Sequence, residues 1–290
     1  MAAIAASAAT PTRSTPARIV SLNLCTDEYL LLTARPAQIA SISRLGSNAN
    51  ETPLAPRARG MATNNGHLGD VLGQQPDLVL TMGASPQDAA LAARLGVRLI
   101  ALPYPQSPAE IVAQVQQVAA LVGHPAAGAA FARDVQALTA SAPAKPTPAL
   151  MIGGAGLAPA MTGLAAGWLR LAGLAQRQSG PVAMESLLAD PPPVLLVSSY
   201  RPGQFSQPQA WTSHPALARL PSRRIAADGR AFLCGGAAMP AEIRRLRSML
   251  AIPAATKPAQ AEPVEVASRE PGFDKLSLSV PLLKPAKPAQ

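Results

Sequence analysis

Residues 107–148 read SPAEIVAQVQQVAALVGHPAAGAAFARDVQALTASAPAKPTP, two helical patterns back to back and then a break. Ser107-Pro108-Ala109-Glu110 has the order of a capping box: a hydroxyl to cap, a proline in the first turn, and a carboxylate three residues after the cap. Ile111, Val115, Val118 and Val122 follow at helical spacing, and Gly123 supplies the stop. From Pro125 to about Ser141 a second pattern puts Phe131, Val135 and Leu138 on one stripe. At 1.5 Å per residue such a helix reaches about 25 Å, enough to bridge two small domains. Ala144-Lys145-Pro146-Thr147-Pro148 then interrupts the chain near its middle.

Outward from this stretch, short apolar runs rich in β-branched residues recur on both sides. They are Ile19–Leu22, Ile39–Ile42, Leu78–Thr81 and Arg98–Ala101 before it, and Ala149–Ile152, Val194–Ser198 and Arg224–Ala226 after it. Helical segments separate them; Ser85-Pro86-Gln87-Asp88 opens one, Leu91 and Leu95 share its face, and Gly96 closes it. Strands alternating with helices predict parallel sheets covered on both faces, an α/β class. A faint repeat divides the chain the same way. Gly69-Asp70-Val71-Leu72 before Pro76-Asp77-Leu78-Val79-Leu80 aligns without gaps with Glu185-Ser186-Leu187-Leu188 before Pro192-Pro193-Val194-Leu195-Leu196. The expectation is two Rossmann-like α/β lobes joined by a single long α-helix, with a cleft between them. The boundaries are 18–124 for the first lobe, 125–143 for the helix and 144–252 for the second lobe.

The ends read differently. Residues 1–17 are mostly Ala, Ser, Thr and Pro; small residues near Ala6–Ala9 suit a signal peptidase, but a basic start and a full apolar core are missing. Both a residual export signal and a loose leader remain open. Residues 253–290 carry seven prolines and no sustained period, so a disordered tail is expected.

Composition removes several function classes. Of 290 residues 48% are hydrophobic but only 3% aromatic, and 25 Lys and Arg against 16 Asp and Glu leave a net charge of +9. The basic residues are dispersed and stacking side chains are scarce, which argues against a nucleic-acid partner. No run approaches the roughly 18 to 20 apolar residues of a membrane span. His67, His124 and His214, with Cys25 and Cys234, show no zinc-ligand spacing, so no metal site held by the protein is expected. His124 and His214 precede prolines at helix starts and His67 sits in a Gly-rich turn, positions for capping or surface roles. Two cysteines so far apart make no disulfide framework, and they read as buried free thiols. Gly154-Ala155-Gly156 begins a G-x-G after a strand, but Pro159 holds the sixth position and no acid follows until Glu185, so the dinucleotide fingerprint fails. There is no phosphate-binding G-x-x-x-x-G-K-[ST] and no G-x-S-x-G elbow. The chain is not expected to be an enzyme.

An ordered set of segments resembles a known family. Arg18-Ile19-Val20-Ser21-Leu22 leads into Cys25-Thr26-Asp27-Glu28-Tyr29; Ile39–Ser43 and Gln75–Leu80 follow; then come Leu95-Gly96-Val97, Leu169–Leu174 and Val182–Leu188. Over about residues 18–252 this is similar to the periplasmic substrate-binding proteins of ABC importers for cobalamin and ferric siderophores, the class III proteins with a helical backbone. The resemblance implies a monomeric receptor that captures a metal-chelate nutrient in the periplasm and delivers it to a permease dimer in the inner membrane. A haem receptor of the same fold, or a sensor or accessory binding protein, is the alternative reading; a Rossmann-type enzyme ranks below both. The ligand is implied to bring its own cobalt or iron, the protein itself holding no cofactor. It would sit against loops at the carboxyl ends of the strands, which nominates Cys25, Thr26, Arg44, Met82, Tyr104, Gly156, Tyr200, Arg201 and Trp211. Tyr104, Tyr200 and Trp211 would give flat contacts, and Arg44 and Arg201 would meet anionic groups. Packing is the competing role for Trp211, as it is for Trp168, and a solvated surface the competing role for Arg201. Permease docking is implied for Glu185, with Asp70 beside the matching position Gly69 in the first lobe.

Overall fold

Residues 15–153, 155–201, 203–204 and 207–251 are described in a computed structural model of the chain. The tail 253–290 and most of the expected leader, residues 1–14, lie outside them. The first lobe runs β1 (Ile19–Ser21), α1 (Leu24–Thr33), β2 (Ile39–Ser43), β3 (Thr63–Asn64), α2 (Leu68–Val71), β4 (Leu78–Met82), α3 (Pro86–Leu95) and β5 (Leu99–Leu102). Helices α4 (Pro108–Leu121) and α5 (Pro125–Ala140) follow. The second lobe continues with β6 (Thr147–Ile152), β7 (Leu157–Ala158), α6 (Leu164–Leu171), β8 (Leu174–Gln176), β9 (Gly180–Pro181), α7 (Met184–Ala189) and β10 (Val194–Ser199). It ends in α8 (Pro215–Ala218), β11 (Arg223–Asp228), α9 (Gly229–Cys234) and α10 (Met239–Ala251).

Two all-parallel sheets result, in the orders β3-β2-β1-β4-β5 and β11-β10-β6-β8, with β7 and β9 forming a small antiparallel pair. The seven apolar runs of the sequence are β1, β2, β4, β5, β6, β10 and β11. The central strands are buried because helices cover both faces, as in β4, where every residue from Leu78 to Met82 is buried, while the edge strands β5 and β11 keep exposed positions at Ala101, Arg224 and Ala226. Each sheet reverses direction beside its first strand, between β1 and β4 and between β6 and β10. Ligands of open α/β sheets bind outside the carboxyl ends at such switch points.

The helix signals act as their chemistry dictates. Ser85 Oγ accepts from the Asp88 amide at 2.9 Å and Gly96 ends α3 in the left-handed region. Such a cap contributes about 1 kcal/mol. Ser107 Oγ accepts from the Glu110 amide, while the Glu110 carboxylate reaches one residue further back than a capping box requires, to the Gln106 amide at 2.9 Å. α4 and α5 pack as an antiparallel pair, and α5 leads directly into β6. At their junction Gln38 Nε2 donates to Val122 O and Pro16 O, both at 3.0 Å, and His124 Nε2 bonds Gln38 Oε1. Pro16 is buried, and the Ala17 and Arg18 amides donate to Asp77, so residues 16 and 17 are part of the folded body.

One hydrophobic cluster extends through both lobes. It joins Ile19, Leu78 and Leu80 of the first sheet to Tyr29 of α1, Val115 of α4 and Phe131 of α5, and continues to Met151, Leu196 and Ile225 of the second sheet and Ile243 of α10. Smaller clusters cover the outer faces, with Val20 and Val79 in one lobe and Leu150 and Leu195 in the other.

Candidate functional site

The site is built from the loops at the two switch points. After β1, Asn23 caps α1: its Oδ1 accepts from the Thr26 amide at 3.1 Å and its Nδ2 donates to Thr81 Oγ1 of β4 at 3.0 Å. Asn before an apolar run is a standard cap signal, one that the reading of the sequence above did not use. The expected ligand contact Thr26 is instead fully buried, its hydroxyl 2.7 Å from Ser21 Oγ and bonded to Asn23. It has no free valence for a ligand and serves to lock the helix start against β1.

The cysteines overturn the free-thiol reading. Cys25, in the first turn of α1, and Cys234, the last residue of α9, form a disulfide with Cα atoms 5.2 Å apart. Proximity in the chain is no guide here, because the fold brings together residues separated by 209 positions. The bond joins one lobe to the other at the floor of the cleft. Cys25 therefore belongs to the covalent frame of the site, with no thiol to offer.

Two carboxyls lie beneath that floor. Asp27 accepts from the Ser43 amide at 3.0 Å and from the Ser43 hydroxyl. Glu28 Oε1 accepts from Thr52 Oγ1 at 2.7 Å, while Oε2 faces the Ala237 and Ala238 amides at the start of α10 without closing a hydrogen bond of ordinary geometry. Burial without a cation pushes each up to about 7. Gly236 makes the approach possible, since a Cβ there would lie 3.2 Å from Glu28 Oε2 and 3.3 Å from the Tyr29 ring. Tyr29 donates to Gln114 Oε1 at 3.0 Å, and Gln114 in turn donates to Pro103 O at 2.7 Å, which anchors the loop carrying Tyr104. Burial also pushes the Tyr29 phenol upward.

Three grooves open above the floor. One, of about 350 Å3, lies between lobes, with Asn50 and Glu51 on one side and Tyr200, Arg201, Gln204 and Leu233 on the other. A second, about 440 Å3 and mostly apolar, is lined by Leu157, Phe232 and Leu233 and shares Tyr200. A third, about 410 Å3, holds Tyr200 and Arg201 beside Arg230 and Arg245. Arg230 is paired with Asp228 and reaches across to Ala49 O at 2.8 Å, and Arg245 is paired with Glu242. Acceptor contact raises both guanidinium groups above their ordinary range. Arg201 is exposed. A larger cavity of about 520 Å3 lies at the opposite, amino ends of β6, β10 and β11, away from either switch point.

Of the nominated residues, the fold gathers Tyr200 and Arg201. Tyr104 stands on the first lobe at the end of β5, 70% exposed, its ring against Gly83. Arg44 is exposed in the turn after β2, and Met82 is buried in the shared core. Gly156 has φ +73, and its missing Cβ leaves room for Pro208 O, so its backbone packs under the 207–213 segment. Trp211, on that segment, packs half-buried against the outer cluster of the second lobe, while Gln209 of the same segment donates to Gly153 O and Ser198 O at the ends of β6 and β10. Trp168 is fully buried and donates to Gly235 O at 2.7 Å. His214 Nδ1 caps α8 by accepting from the Ala216 amide. Glu185 and Asp70 are exposed in the first turns of α7 and α2. The residues that sequence reasoning missed, Asn50, Leu233 and Gln204, carry no periodic signal because they lie on loops or at a helix end.

Among the described residues no group of three or more His, Cys, Asp or Glu could hold a metal ion, and no helix is long and apolar enough to cross a membrane. No protein-family model matches the chain, and no curated protein sequence matches it. Solved structures do. The periplasmic haem-binding protein HutB of Vibrio cholerae aligns with TM-score 0.63 at 19% identity over 81% of this chain and 99% of that one. The periplasmic vitamin B12 binding protein BtuF of Vibrio cholerae aligns with TM-score 0.58 at 16% identity, covering 81% and 97%. The periplasmic haem-binding protein RhuT from Roseiflexus sp. RS-1 aligns with TM-score 0.57 at 20% identity, covering 80% and 96%. At these identities the likeness establishes the fold: an α/β chain of two lobes, as in the class III periplasmic binding proteins.

Proposed function

We propose that this chain is the non-enzymatic substrate-binding component of an ABC importer, taking up a metal chelate in the periplasm and handing it to an inner-membrane permease. The observation that carries the reading is the groove between the lobes, where Tyr200, Leu233 and exposed Arg201, after the carboxyl end of β10 and in α9, face Asn50 and Glu51, in the connection after β2. A large ligand with an apolar body and anionic groups suits that lining: Leu157, Phe232 and the tyrosines take the body, and Arg201 takes a carboxylate or other anion. Haem with its propionates, cobalamin with its phosphodiester and an anionic ferric siderophore each offer such an anion, and each arrives with its metal already caged. In this reading the metal belongs to the cargo and the protein supplies only the groove around it. A disulfide suits an oxidising compartment, which supports the periplasmic location. The exposed carboxylates of Glu185 and Asp70, one on each lobe, are the proposed docking contacts with cationic groups of the permease.

The test is a titration of the purified protein with hemin, cyanocobalamin, ferric hydroxamates and ferric catecholates, followed by tryptophan fluorescence. Saturable binding at about micromolar concentration or tighter to one class supports the reading. Failure of all four to bind would sink it.

A further inference from the structure

A disulfide added only for stability would serve wherever it closed a long loop. This one joins α1 of the first lobe to α9 of the second, and Leu233, next to Cys234, lines two of the grooves. Around it the lobes meet through weaker contacts: Glu28 against Gly236, and Arg230 on Ala49 O. Cys25 is half-buried and Cys234 is 7% exposed, so Cys25 is the more open residue of the pair. The hydrophobic cluster through α4, α5 and α10 still holds the molecule together if the bond is cut.

We infer that the Cys25–Cys234 disulfide is a latch across the cleft floor that holds the two lobes in the arrangement competent for capture, and that a dithiol reductant releases it. One thiolate of the dithiol attacks the Cys25 sulfur and expels the Cys234 thiolate, which takes a proton. The second thiol of the reductant then attacks the mixed disulfide, frees Cys25 as a thiol and leaves the reductant as its own disulfide. Two electrons and two protons pass to the protein. With the latch closed, less lobe freedom is lost on binding, so the oxidised form binds its ligand more tightly. The capture part of this inference rests on the binding function proposed above; the latch part does not.

The experiment compares the oxidised protein, the dithiothreitol-reduced protein and the Cys25→Ser/Cys234→Ser variant. Hydrogen exchange is followed by mass spectrometry, with circular dichroism to establish that each form is folded. Exchange about ten-fold faster at residues 24–28 and 235–238 in the reduced and variant forms, with the central strands unchanged, is the expected result. Whichever of hemin, cyanocobalamin or the ferric chelates binds should then bind about ten-fold more weakly to the reduced form. Unchanged exchange at both segments overturns the latch. Faster exchange with identical affinity in both redox forms overturns its role in capture. Faster exchange with no chelate bound by either form supports the latch and sinks the binding function instead.

Discussion

Raising the pH from 5 to 8 should destabilise this protein, and the cause is the pair of carboxyls under the cleft floor. Asp27 and Glu28 are both fully buried, receive hydrogen bonds but no cation, and are pushed up to about 7. In an unfolded chain such groups titrate near 4. Between those values the native state holds protons that the unfolded chain has released, so stability falls as pH rises, with the full benefit present only below about pH 4. From pH 5 to 7 one such group costs about 2 kcal/mol, because the limiting slope of about 1.4 kcal/mol per pH unit falls off as the native carboxyl itself begins to ionise. With a urea slope of about 2 to 3 kcal/mol/M, the unfolding midpoint should drop by about 1 M per carboxyl. Urea titrations at half-unit pH steps give the curve. Asp27→Asn should remove about half of the slope, because the amide oxygen can still accept from the Ser43 amide. A midpoint that is flat or rises between pH 5 and 8, or an Asp27→Asn variant with the full slope, would refute the reasoning.

Closing a loop across 209 positions by a disulfide corresponds to about 5 kcal/mol in the chain-entropy view, so Cys25→Ser/Cys234→Ser should lower the urea midpoint at every pH, read against the oxidised parent. Arg201→Ala should weaken the chelate identified by titration about ten-fold, about 1.4 kcal/mol, without moving the melting temperature, as calorimetry can check. Glu185→Arg should reduce transport in cells while leaving ligand affinity intact; equal loss of both would refute its docking role. Trp168→Phe leaves Gly235 O without its donor and should cost about 1 to 3 kcal/mol, measured by denaturant titration.

The fold was readable wherever local chemistry and tertiary packing demand the same residues. Ser85, Gly96 and Ser107 punctuate helices by their own hydrogen-bonding and backbone chemistry, and the continuous apolar runs of β1, β4, β6 and β10 have no other way to be buried. β3 and β8 were not legible, because Thr63–Asn64 and Leu174–Gln176 are too short to show a period and depend on strands already in place. The site was only partly readable. Tyr200 and Arg201 follow a recognisable strand and fall where strand ends must fall. The pairing of Cys25 with Cys234, the inward turn of Thr26 and the outward turn of Trp211 depend on how α1, α9 and the 207–213 segment pack, and residue type alone carries none of that. Trp211 misleads for a physical reason: an aromatic on a loop suits a ligand and a sheet's outer face equally well.

The cluster that runs from Ile19 through Phe131 to Ile243 has a consequence for how the molecule comes apart. Each lobe lends the other part of its interior, so neither sheet can melt while its neighbour keeps its packing. Heating should therefore produce one calorimetric transition whose van't Hoff and measured enthalpies agree. A fragment cut near Pro146 would expose the stripe of Phe131, Val135 and Leu138 to water and aggregate before it refolded. The two lobes share a single act of folding.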